Sequence, residues 1–137
     1  MATRSSSPAA AKLIARYPDE VQALAAGAAA LIRRLVPGVE ESADPTAGLL
    51  AYGFGPGYNG MVCTLILSQK GVKLGLVRGA ELDDPRRLLQ GTGKVHRYVQ
   101  ITTPVDLRQP GVSPLISATY KAWKDRTSAR RSKGATA

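Results

Sequence analysis

The chain is short of nearly every residue type that would name a chemistry. Among 137 residues there is one cysteine, Cys63, and one histidine, His96. A single thiol excludes an intramolecular disulfide framework and any multi-thiolate metal site within one chain, and it fits a reducing compartment. A single imidazole excludes a histidine metal triad or a relay built from several histidines. Long apolar runs are missing too: the most apolar stretch, Ala23 to Ile32, is cut after ten residues by Arg33 and Arg34. A bilayer-spanning helix needs about 20 residues, so no membrane-spanning segment is expected. The N-terminus, MATRSSSPAAAKLIARYP, lacks the apolar core and small-residue cleavage site of a secretory signal. These absences together predict a cytoplasmic protein with no membrane partner.

What is present suits a globular fold. A length of 137 residues with 44% hydrophobic content is enough for one core and one domain. The net charge of +9 invites a nucleic-acid reading, because clustered Lys and Arg displace counterions from phosphates. Its distribution weakens that reading. Arg4, Lys12 and Arg16 in residues 1–16, and Arg130, Arg131 and Lys133 in residues 127–137, stand without any acid. The body between them is close to balanced. The expectation is a flexible basic N-terminal segment (1–16), a folded domain (17–126) and a disordered basic tail (127–137), with weak nonspecific nucleic-acid contact confined to the ends.

Periodicity predicts the elements. Pro18 and the acids Asp19 and Glu20 open a helix whose apolar stripe is Val21, Leu24, Ala28, Leu31 and Leu35, and Pro37-Gly38 stops it. The glycine- and proline-rich segment 39–60 accommodates only a short strand, 49–52. Met61 to Leu67 is a continuous apolar run, Gln69-Lys70-Gly71 supplies a turn, and Val72 to Val77 resumes a strand pattern, which reads as an antiparallel hairpin. Asp83-Asp84-Pro85 predicts a short helix through Leu89, residues 95–101 alternate as another strand, and Val112, Leu115, Ile116, Thr119, Tyr120 and Trp123 draw a closing helix. The order is α-β-β-β-α-β-α: an α+β fold, mainly an antiparallel sheet flanked by helices.

Few motifs carry chemistry. Gly55-Pro56-Gly57-Tyr58-Asn59-Gly60 formally matches a dinucleotide fingerprint, but a strand follows where the pyrophosphate needs a helix N-terminus, so the segment reads as a turn or ligand-lining loop. Gly91-Thr92-Gly93-Lys94 fails as a P-loop, with Leu88 in place of glycine and Val95 in place of Ser or Thr. Lys94 and Arg97 beside these glycines suit an anion, and His96 stands between them. Tyr52, Phe54, Tyr58 and Tyr98 are candidates to line a pocket or stack on a base. Cys63 reads as buried core, its thiol inert. Glu40, Glu41 and Asp44 form the one acid group that helix starts do not explain, and so the one candidate set of oxygen ligands for a metal.

Tyr17-Pro18, Glu40-Glu41, Tyr52-Gly53, Pro56 and Tyr58, the hairpin, the run Leu88-Leu89-x-Gly91-Thr92-Gly93-Lys94 and the terminal helix occur in series. In this series the chain resembles the YdhG-like family of small bacterial domains of unknown function, from about Tyr17 to Arg126. The resemblance implies a compact α+β fold in a bacterial cytoplasmic protein. Some members look frataxin-like and are regarded as intracellular iron chaperones, so it also implies iron, held by exposed carboxylates, as a possible cofactor. No convergent catalytic set is present. The leading expectation is a non-enzymatic binding or interaction module for a small ligand or protein partner, contacted through Tyr52, Tyr58, Lys94, His96 and Arg97. The alternatives are iron binding at Glu40, Glu41 and Asp44, and nucleic-acid association through the ends.

Overall fold

In a computed structural model, residues 7–55 and 57–136 are described, with the side chains of Tyr58 and of residues 131–136 outside that description. Five strands, β1 (Glu40–Asp44), β2 (Leu49–Gly53), β3 (Met61–Ser68), β4 (Gly71–Leu76) and β5 (Arg97–Ile101), form one antiparallel sheet in sequential order. Helices α1 (Pro8–Ile14), α2 (Asp19–Leu35) and α4 (Val112–Thr136), with the short α3 (Pro104–Leu107), complete the α+β fold. Helix α2 packs on β3 and β4, α4 packs on the same strands and on α2, and α1 packs on β1.

Strand periodicity of two explains where the core lies. Leu50 and Tyr52 of β2, Cys63, Leu65 and Leu67 of β3, Val72, Leu74 and Leu76 of β4, and Val99 and Ile101 of β5 are buried beneath the helices. They meet Val21, Leu24, Ala25, Ala28 and Ile32 of α2 and Val112, Leu115 and Ile116 of α4. The alanines of α2 bring the helix backbone close to the sheet. On the opposite face the strands present Ala51, Thr64, Ile66, Lys73, Gly75, Tyr98 and Gln100, none of them among the buried residues of the core.

The hairpin forms as predicted, Ser68 pairing with Gly71 across Gln69-Lys70. Elsewhere the structure departs from the sequence reading. The first segment is not loose where it is described: Ser7 accepts the Ala10 N–H, Pro8 occupies the first turn, and Ala10 and Leu13 are buried, so 8–14 is a docked helix. Residues 1–6, including Arg4, lie outside the description. The tail from residue 127 is likewise not a separate disordered piece, since α4 runs on to Thr136. Between β4 and β5 the helical turn is a 3-10 turn at Gly79–Glu81, and the expected helix at 83–89 does not form. There Asp84 receives the Leu88 and Leu89 N–H groups on its own carboxylate while Arg87 turns left-handed at φ 55°, which breaks the helical path.

Two glycines permit the loop before β3. A Cβ on Gly53 would collide with the Gly60 carbonyl, and one on Gly60 with the Phe54 carbonyl. The close passage lets Phe54 N–H donate to Gly60 O at 2.8 Å. It also produces a bulge, because Tyr52 pairs with Cys63 and Gly53 with Met61, leaving Val62 as the extra residue.

Candidate functional site

The predicted site residues fall on opposite faces of the sheet. On the covered face, Glu41 is a structural junction. Its Oε2 accepts from the Tyr52 hydroxyl at 2.6 Å and from Arg33 of α2 at 2.8 Å, while Oε1 accepts from the Ser7 N–H at 3.0 Å. One carboxylate thereby ties α1, α2 and β2 to β1, with only 7% of its side chain exposed. Burial together with the anionic neighbour raises the Tyr52 phenol well above its ordinary range. Tyr52 is fully buried, its hydroxyl committed to Glu41, and it presents no phenol to a ligand on the open face.

The three candidate oxygen ligands do not converge. Glu40 and Glu41 are consecutive strand residues and so project to opposite faces. Glu40 accepts the Gly55 N–H at 3.0 Å, and Asp44 accepts the Ala47 N–H at 3.2 Å as a turn cap. Among the described residues no group of three or more His, Cys, Asp or Glu side chains is placed to hold a metal ion. Cys63 is buried as expected, and burial pushes its thiol up to about 12, which suppresses the reactive thiolate.

The other face brings His96 and the candidate Tyr98 together with residues that sequence reading did not single out, whereas Arg97, paired with Leu76, projects toward the covered side and borders the region only at the end of β5. Strand register aligns Ser42, Ala51, Thr64, Gly75 and Tyr98 in one row across all five strands. Small side chains in the middle of that row leave a depression between larger ones. A cavity of about 310 Å³ results, walled by Met61, Ile66 and Tyr98, floored by Thr64 and Gly75, and reached at one end by His96 and Arg97. A second hollow of about 560 Å³ lies on the far side of Met61, bordered by Glu40, Ser42, Ala51 and Gly55. The glycine-rich loop borders only the second hollow and the connection before β5 only the first, and Met61, the first residue of β3, borders both.

The charged rim is built locally. Arg78 turns left-handed at φ 58° and its N–H donates to His96 Nδ1 at 3.0 Å, fixing the ring against the β4–β5 connection. With Nδ1 accepting, the neutral ring carries its proton on Nε2. Lys73 stands 4.7 Å from the Tyr98 ring centroid, a cation–π pair on the same face. Lys94 is exposed on the same connection and does not line the cavity.

Of the other aromatics, Phe54 is engaged elsewhere. It stacks on Trp123 at 4.8 Å and Tyr120 at 6.0 Å, and Trp123 Nε1 donates to Asn59 O at 2.7 Å. This cluster anchors the glycine-rich loop to α4. The Tyr58 side chain lies outside the described residues. No helix among the described residues is long and apolar enough to cross a membrane. The chain matches no known protein family, no curated protein and no solved structure.

Proposed function

We propose that this chain is a non-enzymatic binding module that takes a small ligand on the uncovered face of its sheet. The observation that carries the reading is the neighbouring pair Thr64–Gly75, whose small side chains floor a hollow on the uncovered face of the sheet. Its volume of about 310 Å³ reaches the lower end of the roughly 300–1,000 Å³ typical of small-molecule sites. The composition also fits, with apolar walls and polar groups gathered at one end, the usual division between binding area and orientation. Cys63 is buried on the other side of the sheet, and His96 Nδ1 is held by a backbone N–H.

The test is a fragment library screened by protein-observed NMR on the full chain. Hits should shift the amides of Thr64, Gly75 and Tyr98, and Thr64→Phe, which fills the hollow without entering the core, should abolish those shifts at unchanged melting temperature. Hits that map to the helical layer instead, or shifts indifferent to Thr64→Phe, would sink the reading.

A further inference from the structure

We infer that the helical side of the protein carries a second, separate site, for the phosphoryl group of a small ligand, between α2 and the connection from α3 to α4. A hollow of about 480 Å³ lies there. One wall is Gly27, Ala30, Leu31 and Arg34, spaced three and four apart and so on one face of α2. The other wall is Leu107, Arg108 and Pro110, with Ser113 from the first turn of α4. Gly27 sets the distance between the walls: a Cβ there would meet Leu107 Cδ2 at 2.8 Å. Leu107 docks against the glycine, and Arg108, the next residue, is carried alongside α2.

This hollow is lined by two cations and by no acid. Arg34 and Arg108 both border it, and among the described residues neither makes an ion pair or a side-chain hydrogen bond. The acids of the flanking elements are committed elsewhere. Asp106 of α3 accepts the Thr102 and Thr103 N–H groups at 2.8 and 3.0 Å and the Gln109 amide at 3.4 Å. Glu41 takes Arg33, Asp19 and Glu20 stand in the first turn of α2, and Asp83 and Asp84 border a different hollow that shares only Pro110 with this one. Two like charges at one hollow repel each other, and a bound anion offsets that repulsion. Both cations are arginine, whose planar fork binds a pair of oxygens. Two forks are matched by a phosphoryl group, with its three oxygens and nearly two negative charges, whereas a carboxylate offers one oxygen pair and one charge. Ser113 adds a hydroxyl, and Leu31, Leu107 and Pro110 suit a small apolar body behind the anion.

The test titrates phenyl phosphate, inorganic phosphate, benzoate and phenol into the full chain at constant ionic strength and about pH 7.5, where a phosphate monoester is mainly dianionic, and follows the amides by NMR. The phosphates should shift Ala30, Arg34, Arg108 and Ser113 saturably, and phenyl phosphate should bind at least about tenfold tighter than benzoate or phenol, the scale of one charge-assisted hydrogen bond. The ratio of phenyl to inorganic phosphate tells whether the group arrives on an organic body or free. Arg34→Gln and Arg108→Gln should each weaken phenyl phosphate at least about tenfold at unchanged melting temperature, and Arg34→Lys, which keeps the charge but not the fork, should fall between. Lys70→Gln, which removes the same charge at the exposed β3–β4 turn, should leave the affinity unchanged. No saturable shift, benzoate binding as tightly as phenyl phosphate, indifference to either arginine, or an equal loss in Lys70→Gln overturns the site. The Thr64–Gly75 hollow lies on the other side of the sheet and is read by different amides, so the two proposals fail separately.

Discussion

The two faces of the sheet share every backbone hydrogen bond yet differ in almost every side chain. On the covered face, Leu50, Leu65, Leu74 and Ile101 are fully buried under α2 and α4. One residue along, the same strands present Ala51, Thr64, Gly75 and Gln100 to the other side. A face that holds the fold together has no room for a hollow of about 310 Å³. The contrast assigns stability to the covered side, and substitutions at adjacent positions can break it.

The largest expected effect is Leu65→Ala. Leu65 has no exposed surface and sits on the central strand, so truncation should cost about 2–5 kcal/mol through lost burial and a residual cavity, read as a fall in the urea midpoint. Alkaline titration probes the same face through a different force. Cys63 ionises near 9.0 in an ordinary setting and near 12 when buried here, and Tyr52 is raised above its ordinary 10.0. Both folded-state values are raised, so their contribution is complete below pH 9 and is lost as pH climbs toward 12, because the unfolded chain releases these protons first. Each group should steepen the decline by up to roughly 1.4 kcal/mol per pH unit within its window, and Cys63→Ala should flatten it between pH 9 and 12. A wild-type midpoint constant over that range would mean that neither group is buried.

Tyr52→Phe should act more gently. It deletes the 2.6 Å hydrogen bond to Glu41 but keeps the ring in the core and leaves Arg33 and Ser7 on the carboxylate. A loss of about 1.5–3 kcal/mol follows for a hydrogen bond to a charged acceptor, and thermal unfolding measures it. A stability equal to wild type would show that Glu41 does not need its third donor.

How far these faces were legible in the sequence depended on whether the signal was local. The β3–β4 hairpin was readable because an apolar run, a turn and a second strand pattern are contiguous, and α2 because its apolar stripe and terminal signals agree. Strand β1 was not, since Glu-Glu-Ser-Ala-Asp has little strand propensity. It is extended because β2 pairs with it and because Glu41 meets Arg33 and Tyr52 from distant elements. Helix α1 did carry a readable cap, Ser7-Pro8, but the three basic residues of 1–16 drew the reading toward a loose arm. Of the candidate residues, His96, Arg97 and Tyr98 border the hollow. The hollow itself was illegible: Thr64 and Gly75 are unremarkable alone, and only the register of β3 against β4 puts them side by side.

The smallest expected effect is the most discriminating one. Thr64 neighbours Leu65 in sequence and lies on the same central strand, but it is only partly buried and faces the hollow. Thr64→Ala removes a hydroxyl and a methyl from that floor and enlarges the hollow without opening the core. Its cost should stay within about 0.5 kcal/mol, the range of substitutions away from packed interiors. The ratio to Leu65→Ala is then several-fold between adjacent residues, which β alternation alone produces only when one face is covered and the other is not. If Thr64→Ala instead destabilises as much as Leu65→Ala, the open face is packed against something in the working protein, and the hollow belongs to an interface rather than to a free ligand.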